Sequence, residues 1–247
     1  MEIQSKNGYK INIKCFMPDI CTKIIIACHG FGGDKESSAI TLLGEKLQKH
    51  NIGVITFDFP GHGKSEVTAE KLTIDNCIMD LESLEDYISE KYPNTEIGIF
   101  ATSFGAYIAL LRINQGNSKY FSTVLRAPAI CMDEIFVNAL MQEDMETYKN
   151  RGYTVLGFDR IMNVPYSYYK ELTNNKLFEV YKENKKMLII QGTEDDVAPI
   201  SDTKKFIKEL NTEATLVEIP GADHRMKKEG ELDFAIDEAT KYILKDI

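Results

Sequence analysis

The sequence predicts an α/β protein: a mostly parallel, twisted sheet flanked by helices and interrupted by one insertion. Three observations carry this. Short β-branched runs alternate with longer amphipathic runs along most of the chain, the order that builds parallel sheets through helical crossovers. Several of the β-branched runs close in glycine-containing loops that also hold chemically capable side chains. From about residue 129 to about 173 the alternation stops and methionines and aromatics crowd together instead.

Taken in order, residues 9–16 alternate enough for a strand, and residues 23–28 (Lys-Ile-Ile-Ile-Ala-Cys) form the continuous apolar run of a central parallel strand. The glycine-rich loop His29-Gly30-Phe31-Gly32-Gly33-Asp34 follows, then a helical pattern over 37–50 with Leu42, Leu43 and Leu47 on one face. Residues 53–57 are the next strand, closing in Asp58-Phe59-Pro60-Gly61-His62-Gly63-Lys64-Ser65. A long amphipathic helix over 73–91 places Ile74, Ile78, Leu81, Leu84, Tyr87 and Ile88 three and four apart. Residues 96–111 read as a buried strand, a turn with no spare residues, and an apolar helix. A strand over 121–126 precedes the insertion, whose side chains include Met132, Phe136, Met141, Tyr148, Phe158, Tyr168 and Tyr169. Alternation resumes with a strand at 186–191, a loop at 192–199, a helix over 201–210, a strand at 215–219, a loop at 220–226 and a last helix over 231–244.

At 247 residues, 43% of them hydrophobic, the chain suits one α/β domain with a sizeable core. A net charge of −9 predicts neither a nucleic-acid partner nor attraction to an anionic membrane. Cys15, Cys21, Cys28, Cys77 and Cys131 are odd in number and lack paired metal-ligand spacing, so free thiols are expected, and the serine chemistry set out below requires no metal and no cofactor. The first residues carry no signal-peptide core and no run is long enough to span a bilayer, which predicts a cytoplasmic protein.

Ser103 sits on the strand-to-helix turn with small residues two before and two after it, Ala101 and Gly105. That spacing matches a nucleophile elbow, although glycine is usual at both flanks. A serine hydroxyl needs a base, and the base needs an anionic partner to hold its tautomer. In parallel sheets such groups gather beyond the carboxyl ends of the strands. Of the four histidines, His224 lies on the Gly221-Ala222-Asp223-His224 loop between the final strand and helix and is the expected base. Asp195 in Gly192-Thr193-Glu194-Asp195-Asp196 fits the spacing from the strand-end glycine, with Asp196 the alternative. Two backbone amides, those of Phe104 and Phe31, are expected to face a developing oxyanion. As a phosphate loop the same glycines fail, because no Gly-Lys-Ser/Thr ending is present.

The segments His29-Gly30-Phe31-Gly32-Gly33, Asp58 to Ser65, Ala101 to Gly105, Gly192 to Val197 and Gly221 to His224 together resemble successive signatures of the α/β-hydrolase superfamily. Within it the chain is similar to small bacterial cinnamoyl/feruloyl esterases and, more loosely, to monoacylglycerol lipases and serine-aminopeptidase-like hydrolases. The resemblance implies an α/β-hydrolase core at 1–128 and 174–247, a cap at 129–173, and cleavage of a small-molecule carboxylic ester by Ser103, His224 and Asp195. It also points to Tyr168 or Tyr169 for contact with the acyl group. Thioesterase or aminopeptidase activity with the same triad, and a non-catalytic ligand-binding homologue, are the competing readings. The oligomeric state is left open, a homodimer included.

Overall fold

Ten strands, nine α-helices and one short 3-10 helix (Ala69–Lys71) appear among the residues described by the structure, a computed structural model: 1–140, 143–157 and 160–245. Met141 and Phe158 lie outside the described residues. The strands are β1 (Glu2–Gln4), β2 (Lys10–Phe16), β3 (Lys23–Cys28), β4 (Ile52–Phe57), β5 (Glu96–Thr102), β6 (Thr123–Arg126), β7 (Tyr153–Leu156), β8 (Met162–Pro165), β9 (Met187–Gly192) and β10 (Ala214–Ile219). Eight of them form one sheet in the order β1-β2-β4-β3-β5-β6-β9-β10. From β4 to β10 every neighbour is parallel, and β2 and β1 close one edge in antiparallel register.

Burial on both faces explains the unbroken apolar runs of the central strands. Along β3, Ile24, Ile26 and Cys28 join the core on the side of α2 (Ile74–Lys91) and α3 (Phe104–Asn114). Ile25 and Ala27 point the other way, toward α1 (Ser38–Gln48) and α9 (Glu231–Lys245). Helix α2 starts where Thr73 Oγ1 accepts the Asn76 amide at 3.0 Å, a side-chain cap that satisfies one of its open N–H groups. Helix α3 is apolar on every side because it is buried from Phe104 to Ile113.

Between β6 and β9 the chain leaves the sheet. It forms α4 (Met132–Ala139), α5 (Met145–Arg151), the antiparallel pair β7 and β8, α6 (Tyr166–Asn174) and the single turn α7 (Leu177–Val180). These elements have four to nine residues each. Neither a period of two nor one of 3.6 can declare itself over such lengths, which is why this stretch reads as irregular in sequence. Phe136, Tyr148, Met162, Val164, Tyr168 and Leu172 are buried and continuous with the core beneath. Helix α8 (Ile200–Glu209) follows β9.

Candidate active site

Strand β5 delivers Ser103 at its carboxyl end with φ +52° and ψ −115°, a region that costs a non-glycine residue about 1–3 kcal/mol. Hydrogen bonds from both sides over-determine it. The Ser103 N–H donates to Arg126 O at 3.0 Å, and Ser103 O accepts from the amides of Ala106 at 3.0 Å, Tyr107 at 3.1 Å and Ala129 at 3.2 Å. Gly105 is required here, since a Cβ on it would stand 2.5 Å from His29 O. Position 101 tolerates a methyl: Ala101 is fully buried in the core.

The structure brings Ser103, Asp195 and His224 together. His224 Nε2 is 3.1 Å from Ser103 Oγ, and His224 Nδ1 is 2.9 Å from Asp195 Oδ2 and 3.0 Å from Oδ1. Asp195 also accepts the amides of Val197 at 3.1 Å and Ala198 at 2.8 Å, and its side chain is wholly buried. Glu194 and Asp196, its neighbours, are exposed. Asp223 faces away from the imidazole, accepting the amides of Arg225 and Lys227. The loops carrying Asp195 and His224 are stitched together by Thr193 N–H to Ile219 O and Glu194 N–H to Ala222 O, both 3.0 Å. A Cβ on Gly192 would meet Ala222 O at 2.2 Å.

Neither the Phe31 nor the Phe104 amide has an acceptor among the described residues, so both N–H groups stay available beside Ser103. The remaining histidines have other work. His29, buried, bonds Gly30 O through Nδ1 at 2.8 Å and accepts the Phe59 amide on Nε2 at 3.1 Å, and burial holds its pKa below the ordinary value. His62 bonds Pro60 O through Nδ1, its ring stacks on Phe104, and its buried Nε2 has no partner among the described residues. Burial, with help from His29 and Arg160, pushes its pKa down to about 3. His50 is exposed at the end of α1.

Tyr168 is fully buried, its ring 6.3 Å from that of Phe31 and 6.5 Å from that of Phe104, and its hydroxyl is unpartnered among the described residues. Tyr169 is half-buried against Phe136 and Tyr166. Neither lines the open cleft beside Ser103. That cleft, about 540 Å³, is walled by the glycine loop after β3, by Ser37 and Ser38 at the start of α1, and by Arg126, His224 and Arg225.

Three residues of the site escape a reading from sequence. Gln191, at the end of β9, donates through Nε2 to Asp195 Oδ2 at 3.3 Å and to Ala198 O at 2.5 Å. Arg126, at the end of β6, donates from Nη2 to Arg225 O at 3.0 Å and His224 O at 3.3 Å. Arg160 of the insertion reaches the carbonyls of His62, Gly63, Ser65 and Val67 at 3.0–3.3 Å. The available signal for the first two is a polar residue closing an otherwise apolar run. Among the described residues no group of three or more His, Cys, Asp or Glu could hold a metal ion, all five cysteines are free, and no helix is long and apolar enough to cross a membrane.

A parallel sheet with a serine elbow, an acid loop and a histidine loop at its carboxyl edge defines an α/β hydrolase fold. Residues 21–160 match the family model described as serine aminopeptidase, S33, and the chain belongs to this family. It is 24% identical over 250 residues to a monoglyceride lipase homolog of Monkeypox virus, covering 91% of this chain and 87% of that one. Among solved structures it is similar to Est1E from Butyrivibrio proteoclasticus with ferulic acid bound, at a TM-score of 0.82 and 23% identity over 100% of this chain and 98% of the other. Alpha/beta hydrolase domain-containing protein 10 from mouse superposes with a TM-score of 0.78 at 17% identity, over 99% and 98% of the two chains.

Proposed function

We propose that this protein is a serine esterase that cleaves small carboxylic esters through an acyl-enzyme on Ser103. The observation that carries the reading is the continuous relay of 3.1 Å from Ser103 Oγ to His224 Nε2 and 2.9 Å from His224 Nδ1 to Asp195 Oδ2. With its proton on Nδ1 toward the carboxylate, the imidazole offers a free electron pair to the serine hydroxyl. Ser103 Oγ attacks the ester carbonyl as its proton passes to Nε2, and the carbonyl electron pair moves onto oxygen. The amides of Phe31 and Phe104 receive that oxyanion, each worth about 3 kcal/mol by analogy with single-donor deletions. The tetrahedral adduct collapses, the carbon–oxygen bond to the alcohol breaks, and His224 returns its proton to the departing oxygen. Water then repeats the sequence and frees the acid.

The aromatic cluster in which the half-buried Phe31 packs on buried Phe104, Phe136 and Tyr168 supports an acyl chain that is aromatic, of the cinnamoyl or feruloyl type, or short to medium in length. In this reading residues 129–173 act as a cap and Tyr168 or Tyr169 meets the acyl group. A fluorophosphonate probe is expected to label the wild type and not Ser103→Ala. Methyl ferulate and p-nitrophenyl esters of increasing length, ranked by kcat/KM, then define the acyl preference. Labelling that persists in Ser103→Ala overturns the nucleophile.

A further inference from the structure

We infer that the open cleft accepts esters whose leaving group carries an oxyanion, a carboxylate or a phosphate, received by Arg126; this rests on the esterase reading above.

Arg126 closes β6 and is 6% exposed, yet it lines the cleft that also holds Ser103 and His224. A buried guanidinium normally faces a carboxylate, because an unpaired charge costs several kcal/mol once taken from water. Among the described residues no carboxylate lies within ion-pair distance of this one. Its Nε–H reaches only the Met226 thioether, at 3.3 Å, and Nη2 is taken by the carbonyls of His224 and Arg225. The two N–H groups of Nη1 have no acceptor among the described residues, leaving part of the planar fork for a ligand oxygen. Burial lowers its pKa to about 10, and the carboxylates of Asp195 and Asp223, too far away for an ion pair, offset only part of that.

A second positive feature borders the same space. Ser37 and Ser38 line the cleft at the start of the eleven-residue α1, whose first turn has no side-chain cap and no acidic residue. Its open amides and dipole favour negative charge there. The ionisable groups lining the cleft are Asp34, Arg126, His224 and Arg225, and Asp34 is already engaged through Oδ1 by the Glu36 amide at 2.7 Å. In a chain of net charge −9 this is a local reversal of sign.

Catalytic geometry says which half of the substrate enters. His224 Nε2 must hand its proton to the departing oxygen, so the leaving group stands on the histidine side of Ser103. His224, Arg225 and Arg126 all line the cleft that holds Ser103. Phe136 and Tyr168 of the insertion do not line it.

The test compares phenyl acetate with 4-acetoxybenzoate and 4-acetoxyphenyl phosphate, which carry the charge on the leaving group, and with monophenyl succinate, which carries it on the acyl group. Each kcat/KM is divided by that ester's rate of alkaline hydrolysis. The wild type is expected to favour one or both leaving-group anions about tenfold, the scale of one charge-assisted contact, and which of the two wins assigns carboxylate or phosphate. That ratio is expected to fall to about one in Arg126→Met and to persist in part in Arg126→Lys. In parallel, calorimetry on the wild type compares 4-hydroxybenzoate and 4-hydroxyphenyl phosphate with phenol, a measurement that needs neither turnover nor a folded variant. Tighter binding of either charged phenol supports the subsite, even where no ester is hydrolysed and the esterase reading falls. Equal treatment of charged and neutral compounds, or a preference for monophenyl succinate, overturns it while esterase activity stands.

Discussion

Glu194, Asp195 and Asp196 are chemically near-identical neighbours with different fates. The turn after β9 buries only the middle side chain, where two loop amides, Gln191 and the imidazole all aim at its oxygens. Sequence spacing reaches as far as Asp195 with Asp196 as rival, because adjacent carboxylates on an irregular loop carry no periodicity to separate them. Asp195→Asn is expected to reduce kcat by about 10³–10⁴, since an amide favours the wrong histidine tautomer. Asp196→Asn, being exposed, is expected to stay within about threefold. Steady-state kinetics on one ester checks both. Arg126 and Gln191 stayed hidden for another reason: what each side chain touches is set by strand order, which brings β6 and β9 together only in three dimensions.

Among the elements, those of the sheet and its helices are legible because a β-branched run and a long amphipathic run are signals that burial on defined faces imposes. Boundaries shift by a residue or two, as where the strand expected over 121–126 begins at Thr123. The tiny β1 escaped entirely, three residues being too few for any pattern. Where β5 meets α3 the backbone leaves no room, and Gly105→Ala is expected to lower the urea midpoint by an amount equivalent to about 1–3 kcal/mol of overpacking. The insertion depends on a different bond set. Arg160 binds four carbonyls of the loop after β4, so Arg160→Met is expected to speed limited proteolysis within residues 129–173 while leaving the sheet's far-ultraviolet dichroism intact. Cleavage at the wild-type rate would show that this tether contributes nothing.

For the whole molecule, acid is the informative perturbation. Burial lowers the pKa of His29 and pushes that of His62 down to about 3, whereas in the unfolded chain a histidine takes a proton near pH 6.5. Below that value the unfolded state binds more protons, so stability falls as pH drops, by up to about 1.4 kcal/mol per pH unit from His62, with His29 acting in the same direction. Asp80 acts in the opposite sense. Burial raises it to about 6 although Ser5 and Tyr9 donate to it at 2.6 Å and 2.9 Å, so its uptake of a proton between about pH 6 and 4 favours the fold and offsets part of the loss. Urea midpoints at pH 7.5 and 5.0 are expected to show a net decrease, and a smaller one in His62→Asn. An unchanged pH difference in that variant would assign the effect elsewhere.

The partners at the centre of this molecule are far apart in the chain: 121 residues separate the hydroxyl from the imidazole it meets. A ribosome therefore releases the serine, its turn and most of the scaffold well before His224 exists. In the esterase reading the nascent chain is expected to be chemically silent until the last parallel strand docks on its neighbour and brings its histidine loop over the elbow. Hydrolytic activity is thus expected to be a late-folding signal, one that reports closure of the carboxyl-terminal edge of the sheet rather than formation of the fold around it.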